Sequence, residues 1–137
     1  MATYSITQVS KKYHLPVSTL RYYEDVGLLC DVDRNGKNRI YDQENLDRLD
    51  AIVCFKETGM SIAELQNFFR FQDNDDDLDD MVALLAKHCK RVDDQLALLE
   101  KNRKHIQRKF KYYSDIRQAK QNHQPMPKWE DYVLTDS

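Results

Sequence analysis

Residues 20–29 of the chain, LRYYEDVGLL, place an arginine and two tyrosines side by side. On a helix, Leu20 and Tyr23 lie on one side, whereas Arg21 and Tyr22 turn outward. Guanidinium and phenol groups can donate hydrogen bonds to phosphate oxygens. Further basic residues precede and follow this stretch, namely Lys11, Lys12, Arg34, Lys37 and Arg39.

The same residues also have a purely structural explanation. Arg21 can pair with Glu24 or Asp25 on its own helix, and both tyrosines can pack. The formal net charge of the 137-residue chain is −2, so its overall charge does not indicate a nucleic-acid ligand. The local clustering of basic residues favours a phosphate-binding surface, because they would approach one surface from two sides.

The composition limits the class of protein. The length suits one domain, or a small domain and an extended element. With no apolar run of about 18 residues and no signal-peptide pattern, we expect a cytoplasmic protein without membrane contact. The widely spaced Cys30, Cys54 and Cys89 include no CxxC pair, which argues against disulfides and zinc. No pair of His, Cys and carboxylate residues falls on an obvious shared site, so we expect no enzymatic activity, and we also expect no metal and no cofactor.

Helical spacing and capping signals predict a helix–turn–helix near the N-terminus. Ser5 or Thr7 can cap a first helix, and residues 14–16 make a turn. A second helix is predicted over residues 17–26. It stops at Gly27, which suits the left-handed conformation that ends many helices.

A small β wing is predicted after these helices. Residues 28–32 and 38–41 flank an Asn-Gly pair, which favours the positive φ angles of a hairpin turn. An isolated hairpin is marginally stable, so the wing must lean on the helices.

Two further helices complete the predicted head. Asp42 can cap a third helix that ends at Gly59, and Ser61 with Glu64 forms a capping-box pair for a fourth, residues 61–70. The third helix carries apolar residues on several sides. Such a helix is usually sandwiched between other elements.

A new periodicity follows an acidic linker, residues 72–77. Apolar residues then alternate at steps of four and three, as in a coiled-coil seam. The predicted dimer-interface residues on this seam are Leu78, Val82, Leu85, Cys89, Val92, Leu96, Leu99, Ile106, Phe110 and Tyr113. A helix over residues 78–120 is roughly 60 Å long at 1.5 Å per residue. The head is too small to cover it, so it needs a partner helix.

The charges along this helix indicate the direction of the partner. Aspartates crowd its start and basic residues crowd its end. An antiparallel pair matches acid to base, whereas a parallel pair sets like charges against each other. We therefore predict an antiparallel homodimer. Residues 121–137 form a tail, whose Trp129 and Tyr132 either dock on the dimer helix or stay loose.

Three motifs together resemble the MerR family of bacterial transcription regulators: LRYYEDVGLL, NRIYDQENLDRL after the hairpin, and FKETGMSIAEL. The resemblance covers residues 4–71 by motif and the long helix by pattern. It implies a mainly α chain whose winged helix-turn-helix head, residues 1–71, has four helices and a two-stranded β wing. A long antiparallel coiled-coil dimerisation helix follows. The resemblance further implies a homodimer that binds a pseudo-palindromic operator in double-stranded promoter DNA, and bends and untwists it for RNA polymerase.

The resemblance also implies which residues contact DNA. The second helix enters the major groove, with Ser18 and Thr19 near bases and Arg21 and Tyr22 on the backbone. The predicted DNA-binding residues are Ser18, Thr19, Arg21, Tyr22, Arg34, Lys37, Asn38, Arg39, Tyr41, Lys56 and Ser61. Residues 16–18, Pro-Val-Ser, replace the common serine-proline opening of this helix, which leaves the base preference open.

Cys54 is the candidate effector-sensing residue. Its segment, IVCFKETGMSI, resembles a MerR subgroup that responds to aldehydes and other electrophiles through one cysteine on the third helix. The alternative is that Cys54 is a small buried hydrophobe. Two other functions stay open: a small-molecule-responsive regulator without thiol sensing, and a dimeric interaction adaptor that does not bind DNA.

Overall fold

The computed structural model describes residues 2–29, 32–36 and 38–133, without the side chains of Asn35 and Asp75. The chain is mainly helical, with a winged helix-turn-helix and a long C-terminal helix, which confirms the predicted fold class. The elements in order are β1 (Tyr4–Ser5), α1 (Ile6–Tyr13), α2 (Val17–Asp25), β2 (Asp33–Asn35), β3 (Asn38–Tyr41), α3 (Gln43–Glu57), α4 (Ile62–Gln72) and α5 (Leu78–Gln121).

The chain divides into two compact units, Met1–His88 and Cys89–Ser137. The first unit contains the wing, the four short helices and the beginning of α5. The second contains the remainder of α5 and the tail. In the described part of the chain, no helix is both long enough and apolar enough to cross a membrane.

Side-chain caps fix where α1, α3 and α4 begin. Ser5, and not Thr7, caps α1: its hydroxyl accepts the Gln8 N–H at 3.1 Å, and the Gln8 side chain accepts the Ser5 N–H. Asp42 caps α3 and Ser61 caps α4 in the same reciprocal way. Each cap satisfies backbone donors that the helix itself leaves unpaired.

The wing differs from the predicted two-stranded hairpin. It is a three-stranded antiparallel sheet in the order β1–β3–β2, because Tyr4–Ser5 adds a strand against Ile40 and Tyr41. Asn35 pairs with Asn38, so the turn lies between them, and Gly36 has a φ of +67°. That angle is typical of the glycine-containing hairpin turns that the sequence predicts.

The predicted wing strand over residues 28–32 is wrong, because the strand that precedes the hairpin turn is Asp33–Asn35. Residues 28, 29 and 32 lie in no strand, and residues 30 and 31 lie outside the described residues. The N–H groups of Leu28 and Leu29 instead bond to the Tyr23 carbonyl at 2.8 and 3.2 Å. Both side chains are fully or almost fully buried. Hydrophobic burial therefore holds this segment against the end of α2.

One hydrophobic core holds the first unit together. Its buried residues come from every helix of the head and from the wing: Val9, Leu20, Tyr23, Leu28, Leu29, Tyr41, Leu46, Leu49, Ile52, Met60, Leu65, Phe68 and Phe69. Met81, Leu84 and Leu85 of α5 pack against the same core. Full burial of one such side chain contributes about 1.5–3 kcal/mol, so this core fixes α2 and the wing relative to each other.

In the second unit the tail docks on its own helix. The Tyr112 ring lies 5.2 Å from the rings of both Trp129 and Tyr132, and Lys109 Nζ lies 4.0 Å from the Trp129 ring centre. The Tyr132 hydroxyl donates a hydrogen bond to Asp115 at 2.5 Å. This bond raises the pKa of Tyr132 to about 12 and lowers the pKa of Asp115. Trp129 and Tyr132 of the tail are therefore held against α5 within this unit.

Candidate nucleic-acid interface

The outward face of α2 carries polar and basic side chains. Ser18 and Arg21 are exposed, Thr19 is half-buried, and Tyr22 is 47% exposed. Tyr23, the second tyrosine of the stretch, is buried. Burial raises the pKa of its phenol. The two tyrosines therefore differ: one belongs to the core and the other to the surface that also presents Arg21.

Glu24 joins the wing to α2 through ion pairs. Its carboxylate accepts a hydrogen bond from Arg39 Nε at 2.5 Å and lies 3.4 Å from a terminal nitrogen of Arg34. Arg39 is on β3 and Arg34 is on β2. Glu24 is therefore paired with the wing, and not with Arg21 as the structural alternative proposed. The basic residues of α2 and the wing lie on adjoining surfaces because of this contact.

The prediction for Tyr41 is wrong with respect to its side chain. Tyr41 is 0% exposed, and among the described residues its hydroxyl has no hydrogen-bond partner. Burial raises its pKa, with Glu24 adding to the effect and nearby arginines opposing it. The side chain packs inward because β3 has one face on the core. Asn38 of the same strand is exposed, and the predicted contact residue Lys37 lies outside the described residues.

The remaining predicted contacts lie near the junction of α3 and α4. Lys56 is exposed in the last turn of α3, and Ser61 is exposed at the start of α4. The Ser61 hydroxyl accepts the Glu64 N–H at 3.1 Å, so its first role is structural. A helix N-terminus that carries free N–H groups can also receive a phosphate.

The candidate sensor Cys54 is exposed, so the interpretation of Cys54 as a buried hydrophobe is wrong. Its backbone carbonyl accepts a hydrogen bond from the Thr58 hydroxyl at 2.9 Å. Cys89, on the predicted seam, is exposed in the single chain, and Cys30 lies outside the described residues. Within the described ranges, no group of three or more His, Cys, Asp or Glu side chains is arranged to hold a metal ion.

Sequence reasoning missed two residues that organise the head. The sequence indicates Glu24 only as a partner for Arg21. Arg48 was not singled out at all, yet its Nε donates to the Leu28 carbonyl at 2.6 Å and its guanidinium lies 4.0 Å from the Phe69 ring centre. Arg48 also pairs with Asp73 at 3.7 Å. The only signal for Arg48 was a basic residue on a helix with several apolar sides.

A helix-turn-helix with an outward basic and polar face, joined to a β wing by ion pairs, defines a winged helix-turn-helix DNA-binding protein. The family model described as MerR HTH family regulatory protein matches residues 4–72, and the model described as MerR, DNA binding matches residues 46–109. The chain belongs to the MerR family. Members of this family are DNA-binding transcription regulators and not enzymes.

Individual relatives agree with this assignment. AdhR, an HTH-type transcriptional regulator of Bacillus subtilis (strain 168), is 34% identical over 90 residues. That match covers 64% of each chain, so it spans less than two thirds of the relative.

Two solved structures are also similar. One is HiNmlR, a MerR family regulator lacking the sensor domain, bound to promoter DNA, with 28% identity and a TM-score of 0.76. It covers 90% of this chain and 97% of its own. A MerR family regulator from Bacillus thuringiensis is 35% identical, with a TM-score of 0.69, and covers 80% of this chain and 97% of its own. The predicted family is confirmed, and the interaction adaptor without DNA binding is no longer favoured.

Proposed function

We propose that two copies of this chain pair antiparallel through α5 and bind a pseudo-palindromic operator in double-stranded promoter DNA. The homodimer controls transcription by bending and untwisting that DNA, which changes how RNA polymerase engages the promoter. Bending a short duplex costs a few kcal/mol, and contacts from two heads can offset that cost. An electrophile that reacts with Cys54 shifts the balance between the bent and unbent complexes.

The observation that carries the dimer is the exposed seam of α5. Seven large apolar seam residues are 60–74% exposed in the single chain: Leu78, Val82, Leu96, Leu99, Ile106, Phe110 and Tyr113. Cys89 is also exposed, while Leu85 and Val92 are half-buried. Soluble proteins rarely leave so many large apolar residues uncovered, and such a surface marks an interface. A second copy of α5 is the partner whose seam has the matching spacing.

The charges of the helix ends support the antiparallel direction. Asp79 and Asp80 lie in the first turn of α5, and Lys120 lies in its last turn. In the second unit an open groove is lined by Ile106, Phe110 and Tyr113, with Lys109 and Arg117 beside them. In an antiparallel pair, the acidic start of one helix meets this basic end of the other. Three of its six lining residues belong to the seam, which favours a helix and not a small molecule as its occupant.

The exposed face of α2 supports entry of this helix into the major groove. Ser18 and Thr19 face the bases, while Arg21 and Tyr22 contact the phosphates on either side. The wing follows α2 onto the backbone through its contact with Glu24. In a two-fold dimer the two copies of α2 occupy successive major grooves, about 34 Å apart along the duplex. This geometry requires an operator with two-fold symmetry.

A binding assay tests this proposal. The probe is promoter DNA that carries an inverted repeat, and the measurements are affinity at several salt concentrations and end-to-end distance of the probe by energy transfer. We expect specific, salt-sensitive binding with a shorter end-to-end distance, and weaker binding for Arg21→Ala. Arg70→Ala, which removes the same charge from the exposed end of α4, is the control. Unchanged binding by Arg21→Ala would contradict the proposed groove contacts.

Cys54 is proposed as the sensor because its thiol is exposed and because a neighbouring side chain, Thr58, contacts α5. The Thr58 hydroxyl bonds to the Cys54 carbonyl and lies 2.7 Å from His88 Nε2 on α5. A thiol adduct that disturbs the end of α3 therefore also disturbs the start of the dimer helix. A promoter reporter treated with an aldehyde tests this role. An equal response by wild type and Cys54→Ala would exclude it.

A further inference from the structure

Two arginines of the wing share one carboxylate. Arg34 of β2 and Arg39 of β3 stand directly opposite each other in the sheet register. Side chains at such positions project from the same face, and like charges there repel each other. Glu24 lies between them, with one oxygen toward each guanidinium. The carboxylate thus relieves a repulsion that the strand pairing itself creates.

The two ion pairs are not equivalent. Arg39 and Glu24 are each 17% exposed at the side chain, and Arg39 Nε lies 2.5 Å from Oε2. Arg34 is 54% exposed and lies 3.4 Å from Oε1. A short, largely buried, charge-assisted hydrogen bond is strong, whereas a long, exposed ion pair is weak and readily exchanged. Arg39 is therefore held in place, while Arg34 can leave Glu24 for another anion.

The charges around the ion pairs of Glu24 with Arg34 and Arg39 favour such an anion. Arg21, Arg34, Arg39 and Glu24 all act electrostatically on the buried Tyr41 hydroxyl, and together these four groups carry a net charge of +2. Three guanidinium groups and one carboxylate therefore lie near the same hydroxyl, and Glu24 can balance only one of these three positive charges. A phosphate of the DNA backbone matches the guanidinium of Arg34 in geometry and charge.

We propose that Glu24 is a positioning residue that gives the two wing arginines different roles. It keeps Arg39 as a permanent anchor of the wing on α2. It holds Arg34 in an exchangeable ion pair. When DNA binds, a backbone phosphate replaces Glu24 as the partner of the Arg34 guanidinium. This inference rests on the proposed DNA contacts of α2 and the wing, and it goes beyond them because Arg39 then contributes no phosphate contact.

The test measures the affinity of the full-length chain for a mixed-sequence DNA duplex as a function of salt, so no operator need be known. Arg34→Gln should lower the slope of log affinity against log salt by about 0.9, the value for one phosphate contact. Over a fourfold rise in salt, the wild type then loses about 3.5-fold more affinity than this variant. Arg39→Gln loosens the wing and should lower the affinity at every salt concentration, but it should keep the wild-type slope. Arg70→Gln is the charge-matched control and should also keep it.

Amide hydrogen exchange of the wing supplies a second readout. Arg39→Gln and Glu24→Gln should each speed exchange at Ile40 by about tenfold, since a charge-assisted hydrogen bond is lost. Arg34→Gln should leave that rate unchanged. Where Arg39→Gln does not fold, the slope of Arg34→Gln and the exchange rate of Glu24→Gln still decide the question.

The outcomes separate this inference from the proposed function. Equal losses of slope in Arg34→Gln and Arg39→Gln would mean that both arginines contact phosphate, and unchanged exchange in Glu24→Gln would mean that it anchors nothing. Either result overturns the division of roles while the DNA interface remains. Absence of salt-dependent binding by the wild type would overturn both proposals.

Discussion

The hydroxyl of Thr58 lies 2.7 Å from Nε2 of His88, and this contact joins the end of α3 to α5 within the first unit. The same hydroxyl donates to the backbone carbonyls of Cys54 and Phe55. His88 is only 6% exposed, and its ring packs edge-on against Phe55. The end of α3, one turn beyond Cys54, is thus mechanically connected to the helix that we propose as the dimer interface.

Thr58→Val should weaken this junction. The valine keeps the shape of threonine but removes the hydroxyl, so we expect the free energy of unfolding to fall by about 1–3 kcal/mol. Thr58→Ser, which keeps the hydroxyl, should retain most of that free energy. Chemical denaturation followed by circular dichroism measures both. Equal stability of the valine variant and wild type would show that the contact contributes nothing.

Thiol labelling should distinguish Cys54 from Cys89. In a Cys30→Ser background, we expect brief treatment with an electrophile to add one adduct, at Cys54, because the dimer seam covers Cys89. Ile106→Asp places a charge in the seam and should dissociate the dimer. Cys89 then becomes reactive as well. Intact-protein mass spectrometry with peptide mapping counts the adducts.

Gln107→Asp supplies the control for this labelling experiment. Gln107 is exposed and adjacent to Ile106 but lies off the predicted seam. It should keep one adduct and, by analytical ultracentrifugation, the mass of a dimer. Equal labelling of Cys89 in the background protein, in Ile106→Asp and in Gln107→Asp would argue against a dimer seam that covers Cys89.

Two substitutions at Ser61 should separate capping from DNA contact. Ser61→Ala removes the cap that accepts the Glu64 N–H, so the free energy of unfolding should fall by about 1 kcal/mol. Ser61→Asp keeps a capping acceptor and should be nearly as stable as wild type. If α4 begins near a phosphate, Ser61→Asp should bind duplex DNA several-fold more weakly at low salt, with a smaller difference at high salt. Wild-type affinity of Ser61→Asp would remove Ser61 from the contact set.

The docking of the tail should depend on pH at both extremes. The pKa of Asp115 is lowered below its ordinary 3.8. The contribution of the ionised Asp115 to docking is therefore complete above pH 3.8 and is lost as the pH falls through the lowered value. The Tyr132 pKa is raised from 10.0 to about 12, so its contribution is complete below 10.0 and lost as pH rises through about 12. Docking of the tail should therefore be strongest between pH 3.8 and pH 10.0.

Trp129 fluorescence reports on this docking directly, since it is the only tryptophan of the chain. The emission of the wild type should change at both ends of the pH range. Tyr132→Phe removes the hydroxyl that joins the tail to Asp115, and its emission should lack those two transitions. Identical pH profiles for wild type and Tyr132→Phe would mean that the hydrogen bond does not hold the tail.

Much of the fold followed from local signals. The caps at Asp42 and Ser61 and the glycines after α2 and α3 act within one turn of a helix, and each element ends where they predict within a few residues. The strand Tyr4–Ser5 was not predicted. Two residues carry no readable periodicity, and they become a strand only because β3 is available to pair with them.

The candidate site was predicted less completely than the fold. Arg21 and Tyr22 are exposed on α2 as helical geometry requires. Tyr41 was placed on the DNA surface by a family motif, but its side chain faces the core. The sequence does not decide whether Cys54 is exposed or buried, because its helix carries apolar residues on several sides. Neither question could be decided without the neighbouring elements.

The sequence by itself determined the family, the helix boundaries and the seven-residue spacing of the seam, because these depend on residues close together in the chain. Only the tertiary structure decided that Glu24 serves Arg34 and Arg39, that Arg48 joins three segments, and that Tyr41 is covered. Burial and ion pairing depend on distances between residues far apart in the chain. Those distances exist only after the core has brought the elements together.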